Sequence, residues 1–167
     1  MSGITILTSI DMAQFPTVAQ FMDRQIESVR PDTAIMEAID SLVEKRVTGT
    51  LVADSEGRLV GILTEFDCLR VFTEVDWRDK SPGAQVKDYM TVDVKTIPPT
   101  MDIYQAARLF MGVSFHRFPV VEEGRILGTI SRFDTLRAVQ RTLASLSPDD
   151  TIPVISIPPK APGSNRP

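Results

Sequence analysis

Apolar positions recur with the 3.6-residue period of an amphipathic helix in two stretches of this chain, which begin near Ile35 and Ile103. Asp32 and Thr100, which directly follow prolines, are the predicted N-caps of these helices. Each helix is preceded by a short β-branched run that the prolines end, and these runs predict two strands, at residues 26–30 and 94–98. The pattern of a strand followed by a helix therefore occurs twice.

Two β-hairpins follow the predicted helices. In each hairpin a glycine closes the turn, where it supplies the positive φ that such loops commonly need. A further helix is predicted to begin near Thr64 and again near Ser131. The predicted strand pairs are Thr50–Asp54 with Arg58–Leu63, and Phe118–Val121 with Arg125–Ile130.

The two halves of the chain are copies of one another. Gly61–Arg70 returns as Gly128–Arg137 with five of ten positions identical, and Ser131 keeps the hydroxyl of Thr64. The offset between the copies is 68 before the turn and 67 after it, as expected where a turn has lost a residue. We therefore predict an α+β fold of two β-α-β-β-α repeats, related by a pseudo-twofold axis, with clefts between their sheets.

Neither repeat is expected to fold alone, because about 55 residues with three short strands bury little core. The tail is rich in proline, and we expect it to be disordered. The extension contains a strand-like run, Ile4–Ile10. The predicted segments are an N-terminal extension (1–16), a first repeat (17–73), a linker (74–84), a second repeat (85–142) and a C-terminal tail (143–167).

Composition limits the classes of function. The chain has 167 residues, 43% of them apolar, and a net charge of −4, which is ordinary for a soluble globular protein and lacks the basic footprint of nucleic-acid binding. No apolar run approaches the roughly 18 residues of a membrane helix, and Met1–Thr5 does not resemble a signal peptide. The single cysteine, Cys68, suits a reducing compartment. We expect a cytoplasmic protein that binds neither nucleic acid nor membrane.

Each repeat places a hydroxyl and a carboxylate where a strand enters a helix: Thr64 with Asp67, and Ser131 with Asp134. The hydroxyl lies beside unpaired N–H groups and the positive end of the helix dipole, an arrangement that favours phosphate. The aspartate can accept hydrogen bonds from a ribose diol. The same pattern is also a helix cap that needs no ligand. Both interpretations stay open from the residues alone.

A cationic pair occurs in the second repeat only. Arg117 offers phosphate a planar fork of donors, and His116 can donate a hydrogen bond and gains attraction when protonated. Thr48 and Gly49 occupy these positions in the first repeat, so the two clefts are not expected to be equivalent. The alternative interpretation of the His-Arg pair is a solvated turn.

These ordered motifs resemble a tandem pair of cystathionine-β-synthase (CBS) domains, the unit called a Bateman module. The matching features are the spacing from Met22 or Met90 to Pro31 or Pro99, the Phe-Pro-Val-Val strand, and the glycine motif that ends in Thr/Ser-x-x-Asp. The resemblance covers roughly residues 17–142. It implies a regulatory sensor that binds AMP, ADP or ATP between the repeats and acts on a partner protein.

The resemblance also implies site residues. The His-Arg pair is similar to the His-Arg-x-Pro sequence of the γ subunits of the AMP-activated kinase, where it faces phosphates. Positions on the first strand of each repeat would face the base, with Leu63 and Ile130 as further apolar walls. The predicted nucleotide-binding residues are Ser28, Val29, Thr64, Asp67, Thr96, Ile97, His116, Arg117, Pro119, Ser131, Arg132 and Asp134.

Catalysis is not expected. The only histidine has no metal-ligand pattern around it, neither a Gly-x-Ser-x-Gly turn nor a Walker lysine loop is present, and Cys68 fits a small core residue. We expect no cofactor and no resident metal. The alternatives are a ligand-free dimerisation or scaffold module, and a sensor of S-adenosylmethionine or of a metal. A homodimer is expected because the helices have apolar surface to spare; the protein partner stays unidentified.

Overall fold

The computed structural model describes residues 15–74 and 83–145. The strand-like run Ile4–Ile10, most of the predicted linker and nearly all of the proline-rich tail lie outside the described residues. None of the described helices is long and apolar enough to cross a membrane. The described elements are β1 (Ser28–Val29), α1 (Ile35–Lys45), β2 (Gly49–Ala53), β3 (Leu59–Thr64), α2 (Glu65–Glu74), α3 (Ile103–Met111), β4 (Arg117–Glu122), β5 (Arg125–Ser131) and α4 (Arg132–Ser145).

The first repeat has a three-stranded sheet in the order β1-β2-β3, in which β1 runs parallel to β2 and β3 antiparallel to it. In the second repeat, β4 and β5 pair antiparallel. The position of β1 is reduced there to one parallel bridge between Ile97 and Val120. The predicted strand over residues 94–98 is therefore wrong except at Ile97. The first repeat's strand also ends at the equivalent residue, Val29, so the two repeats differ one position earlier: Ser28 pairs with Leu51, whereas Thr96 forms no bridge.

Both hairpins are confirmed close to their predicted bounds. Gly57 and Gly124 adopt φ of 75° and 81° in the two turns, the left-handed region in which a side chain would be strained. Each hairpin also has an irregular register at the same relative place, after Val52 in β2 and after Val120 in β4. The local turn chemistry that repeats in the sequence thus gives the same backbone in both copies.

The predicted N-caps Asp32 and Thr100 are wrong by two residues. Helix α1 is capped by Ala34 without a side-chain hydrogen bond, and α3 is capped by Asp102, whose carboxylate accepts from the Gln105 N–H at 2.8 Å. Ala34 and Asp102 each form an isolated antiparallel bridge with a residue of the other repeat, Gln85 and Thr17 respectively. Because the chain stays extended to make these bridges, both helices begin later than the residues after proline suggest.

The segment that leads into the first repeat lies on the second repeat. Val18 donates its backbone N–H to the Met101 carbonyl at 2.8 Å. Asp23 and Thr129 of β5 exchange two backbone hydrogen bonds, of 2.8 and 2.9 Å. This segment, residues 17–24, therefore pairs with the repeat to which it does not belong in sequence.

The segment that leads into the second repeat makes the reciprocal contacts. Val86 donates to the Thr33 carbonyl at 2.9 Å, and Thr91 exchanges two hydrogen bonds of 2.9 Å with Ile62 of β3. We call residues 17–24 and 85–92 the leading segments. Their exchange means that each repeat is completed by the other.

The buried core reflects this exchange. One apolar cluster combines Val18 and Met22 of the first leading segment with second-repeat side chains, among them Ile97, Ile103, Phe110, Phe118, Val120 and Ile130. A second cluster combines Val86 with first-repeat side chains, among them Ile35, Leu42, Val52, Leu63 and Val71. A third, smaller cluster joins the hairpins of the two repeats through Leu51, Ala53 and Ile126. The two repeats thus share their hydrophobic cores.

The glycines that open the repeated motif are required by the leading segments. A Cβ on Gly61 would meet the Sδ of Met90 at 2.7 Å, and a Cβ on Gly128 would collide with the backbone carbonyl of Asp23. A strand glycine often marks such a close approach of another backbone. The position is therefore glycine in both copies because a crossing chain occupies the space of a side chain.

Candidate functional site

The hydroxyl and carboxylate at the start of α2 and of α4 bond to each other. Thr64 donates its Oγ1–H and its N–H to Asp67 Oδ2 at 2.6 and 2.9 Å, and the Asp67 N–H donates back at 3.3 Å. Ser131 and Asp134 make the same three bonds at 2.6, 2.9 and 3.1 Å. The capping interaction predicted from the sequence is therefore present in both repeats.

A cleft of about 670 Å³ adjoins this cap in the second repeat. Its volume falls within the roughly 300–1,000 Å³ typical of small-molecule sites. The walls come from the start of α4, from the edge of β4 and from the leading segment of the first repeat. The lining residues are Met22, Asp23, Arg24, Arg117, Ser131, Phe133, Asp134 and Arg137.

Arg117 reaches this cleft from the first position of β4. Its Nη1 donates to Thr129 Oγ1 at 2.8 Å and lies 3.8 Å from Asp23 Oδ2. The arginine side chain remains 54% exposed, so its guanidinium borders the cleft and solvent. Arg117, predicted from the sequence to meet phosphate, thus lies in the same cleft as Ser131 and Asp134.

Two further arginines border the cleft. Arg137, one turn into α4, donates from Nη2 to Asp134 Oδ1 at 3.0 Å, and Arg24 donates from Nη2 to the Ala19 carbonyl at 3.0 Å. Together with Arg117 they give three guanidinium groups against the two carboxylates of Asp23 and Asp134. The N-terminal end of α4 adds the positive end of its dipole. This balance of charge suits an anion.

The structure does not bring Arg132 and His116 into the cleft. Arg132 Nη2 donates to the Val113 carbonyl at 2.7 Å, and the Arg132 N–H donates to the His116 carbonyl at 3.0 Å. The His116 side chain is exposed and is absent from the cleft lining. The backbone bond between these residues has a counterpart from Glu65 to Thr48, also at 3.0 Å, so it belongs to the fold of both repeats.

None of the residues predicted at the first strand of each repeat, nor the predicted apolar walls, lines the described cleft. Ser28 and Thr96 are exposed, and Val29 is half-buried. Ile97, Leu63 and Ile130 are buried in the cores, and Pro119 is buried too. The side chains of Leu63 and Ile130, like that of Ile97, pack within the apolar clusters of the repeats.

The first repeat keeps only part of this arrangement. Asp67 is 6% exposed and caps α2 as Asp134 caps α4, but the leading segment that crosses it has different chemistry. The positions that correspond to the cleft residues, in the same order, are Met90, Thr91, Val92, Gly49, Thr64, Phe66, Asp67 and Arg70. Thus an aspartate and two arginines are replaced by threonine, valine and glycine.

Cys68, which follows Asp67, lies in the apolar cluster of the first repeat. The thiol is buried, and this burial, with a smaller contribution from the Asp67 and Glu65 carboxylates, raises its pKa. A raised pKa disfavours the reactive thiolate. Among the described residues, no cluster of three or more histidine, cysteine and acidic side chains could hold a metal ion.

Sequence reasoning missed Asp23, Arg24 and Arg137 as cleft residues. Arg137 ends the ten-residue motif that the two copies share, so its identity with Arg70 was an available signal. Asp23 and Arg24 lie in the other repeat's leading segment, and their only sequence signal was Gly128, whose missing side chain marks the crossing.

Comparison with known proteins identifies the architecture. The family model of the CBS domain matches residues 18–74 and 86–141. The CBS domain-containing protein CBSX1, chloroplastic, of Arabidopsis thaliana is 30% identical over 166 residues, spanning 82% of this chain and 70% of that protein. CBSX2 of the same plant is 31% identical over 149 residues, which span 63% of its length.

Solved structures give the same result. The crystal structure of CBSX2 in complex with AMP superimposes with a TM-score of 0.64 at 33% identity, covering 75% of this chain and 96% of that one. The cytosolic domain of the Mg²⁺ channel MgtE in complex with ATP superimposes with a TM-score of 0.60 at 26% identity, covering 75% of this chain and 50% of that one.

Proposed function

This chain belongs to the family of CBS domains, of which it contains two copies, and we propose that it is a regulatory module that binds an adenine nucleotide in the cleft at the start of α4. The observation that carries the proposal is the convergence of Arg117, Arg137, Ser131 and Asp134 on one cleft of about 670 Å³. Phosphate would meet guanidinium groups and the end of the helix dipole. The second carboxylate oxygen of Asp134 would accept from ribose.

AMP is the ligand that the comparisons favour, with ADP and ATP as the other members of the class. CBSX2, at 33% identity, was crystallised with AMP, and the more distant MgtE domain with ATP. Three arginines facing two aspartates leave one net positive charge for the phosphate. S-adenosylmethionine carries a positive sulfonium group in place of phosphate, so the same charge balance argues against it.

The proposed role is non-catalytic. Nucleotide bound in this cleft touches both the second repeat and the leading segment of the first, so it would favour one relative arrangement of the repeats by its differential affinity. A partner protein would recognise the altered arrangement of the repeats. The free, buried Cys68 suits a reducing compartment, and we propose the cytoplasm.

We also propose that the module forms a homodimer through its second helices. Phe66 and Leu69 on α2 are 69% and 62% exposed, and Phe133 and Leu136 on α4 are 71% and 63% exposed. The two pairs occupy equivalent positions, so they give two related apolar surfaces. Contiguous exposed apolar patches commonly mark an interface. Light scattering during size-exclusion chromatography should give twice the mass of the chain.

Isothermal titration calorimetry with AMP, ADP, ATP and S-adenosylmethionine tests the nucleotide proposal directly. A matched pair of variants localises the site. Arg117→Gln removes a guanidinium from the cleft and should weaken AMP binding by about tenfold, because a hydrogen bond to a charged group contributes roughly 1.5 kcal/mol or more. Arg132→Gln removes a guanidinium that bonds to Val113 instead and should leave affinity unchanged. No heat with any adenine nucleotide at millimolar concentration would reject the proposal.

The second candidate function is a ligand-free scaffold. It is favoured by the caps, because Thr64, Asp67, Ser131 and Asp134 already satisfy one another without a ligand. This alternative predicts the same dimer but no adenosine compound that raises the melting temperature. Differential scanning fluorimetry with each nucleotide at about 1 mM separates the two functions, because a ligand that binds the folded state raises the melting temperature.

A further inference from the structure

One acidic side chain in the cleft stands where it opposes the proposed ligand. Asp23 Oδ2 faces Arg117 Nη1 at 3.8 Å, across the junction between the first leading segment and the second repeat. The corresponding positions in the first repeat are Thr91 and Gly49. The acid and the base therefore occur together in the cleft and are both missing from its counterpart.

The backbone holds Asp23 in this place. Its N–H and carbonyl bond to Thr129 at 2.8 and 2.9 Å, and its Oδ1 accepts from the Gln25 N–H at 2.9 Å. The Oγ1 of the same Thr129 accepts from Arg117 at 2.8 Å. Thr129 thus positions the carboxylate and the guanidinium side by side. The Oδ2 of Asp23 is left for Arg117, at a distance too long for a direct hydrogen bond.

We propose that Asp23 is a specificity-determining residue of the cleft, which acts as an internal counter-anion of Arg117 and selects against ligands with many phosphate charges. This inference rests on the proposed function, since it concerns the same cleft. A phosphate that binds Arg117 must displace the carboxylate or share the guanidinium with it. The carboxylate also repels each further negative charge that enters the cleft.

The expected change in affinity is modest because the two side chains are partly exposed to solvent. The side chains of Asp23 and Arg117 are 43% and 54% exposed, so water screens their interaction. Exposed pairs of this kind change equilibria by roughly two- to fivefold. The effect should grow from AMP to ATP and vanish for adenosine, which has no phosphate. Asp23 therefore favours a nucleoside monophosphate over the di- and triphosphate.

The test compares adenosine, AMP and ATP by calorimetry on the full chain and on Asp23→Asn. Asparagine keeps the shape of the side chain and an oxygen for the Gln25 N–H, so the variant should fold. We expect AMP affinity to rise two- to fivefold and ATP affinity to rise more, so that the AMP-to-ATP preference shrinks, while adenosine affinity stays the same. Asp40→Asn, on the exposed face of α1, makes the same change in net charge outside the cleft and should change none of them.

A double variant tests the mechanism. In Arg117→Gln, the further change Asp23→Asn should no longer raise AMP affinity by the same factor, because the carboxylate has lost the group for which it competes. AMP binding that is equal in the parent chain and Asp23→Asn would overturn the inference and leave the nucleotide proposal standing. An equal gain for adenosine would also overturn it. No AMP binding to either form would instead overturn the proposed function.

Discussion

The two copies of the Thr/Ser-x-x-Asp motif have the same backbone and the same cap, yet only one is surrounded by the charges that an anionic ligand needs. The difference comes from outside the motif. At the start of α4 the neighbouring chain contributes Asp23 and Arg24, and at the start of α2 it contributes Thr91 and Val92. The motif therefore forms the same cap in both copies, and the residues around it, on the crossing segment and at the start of β4, make the two surroundings different.

This comparison separates two demands on one sequence. The fold requires the cap, the turn glycine and the glycine under the crossing segment, and both copies keep them. The proposed ligand binding uses arginines of the cleft, and the position of Arg117 is occupied by Gly49 in the other copy. Variants made in pairs at equivalent positions can therefore test fold and function independently.

The largest effect is expected at the glycines under the leading segments. In Gly128→Ala the new Cβ collides with a backbone carbonyl, whereas in Gly61→Ala the nearest atom is the flexible Sδ of Met90. Overpacking costs roughly 1–3 kcal/mol, and we place Gly128→Ala at about 3 and Gly61→Ala at about 1 kcal/mol. Urea denaturation measures both. A larger loss for Gly61→Ala would show that the second leading segment packs more tightly on β3 than the first leading segment packs on β5.

Removal of the caps of α2 and α4 should lower the stability of the fold by equal amounts but should affect nucleotide binding differently. Asp67→Ala and Asp134→Ala should each lower the free energy of unfolding by about 1–2 kcal/mol, the usual range for a lost cap. Only Asp134→Ala should also weaken AMP binding, measured by calorimetry. Asp102→Ala, which uncaps α3 away from the cleft, is the control for stability loss alone. Weaker AMP binding in Asp67→Ala would mean that the first repeat also contributes a site.

The reactivity of thiols at equivalent positions of α2 and α4 measures local opening of each helix. Cys68 corresponds to Thr135, and both side chains are buried. With its burial and raised pKa, Cys68 should react with iodoacetamide at pH 8 at least about tenfold more slowly than in urea. The same holds for a thiol introduced by Thr135→Cys in a Cys68→Ala background. AMP should slow the second thiol further and leave Cys68 unaffected, because the ligand suppresses opening at α4 only. Protection of both thiols would contradict this.

The smallest effect concerns the hairpin turns. Asp54 accepts N–H groups from Arg58 and Glu56, both at 2.9 Å, and these bonds, that to Arg58 foremost, lower its pKa. The shorter second turn has Glu122 at this position. A lowered folded-state pKa gives stability that is present above the unfolded value of about 3.9 and is lost as pH falls through the folded-state pKa. Asp54→Asn should therefore be slightly less stable than the parent chain at pH 7, and the difference should disappear in acid. A difference independent of pH would contradict this.

Local chemistry was readable from the sequence. The hairpins were predicted within two residues because the turn glycines and alternating strands act over short distances. The N-caps were misplaced because Ala34 and Asp102 pair with the opposite repeat, a long-range contact that a local pattern does not carry. The predicted strand at residues 94–98 pairs only at Ile97, although its residue types favour a strand as those of the first repeat do.

The site was only half predictable for the same reason. Ser131, Asp134 and Arg117 stood out by residue type and repeat position, but Asp23 and Arg24 reach the cleft through the exchange of leading segments. Arg132 was among the predicted nucleotide-binding residues, but its guanidinium donates to the Val113 carbonyl. Whether a charged side chain enters the cleft or bonds elsewhere depends on nearby backbone acceptors, which the sequence does not reveal.

The exchange of leading segments bears on how such a chain could have arisen. In a single ancestral repeat, the leading segment would have had no repeat on which to pack, and the core would have been exposed. A second copy of the same molecule would have supplied both contacts. Gene fusion then turns that bimolecular association into an internal one, at an effective concentration set by a short tether. Once the halves are joined, each crossing strand can mutate without changing the other. One ancestral contact could thus become two different ones, and a symmetric assembly could acquire a single, polar recognition surface.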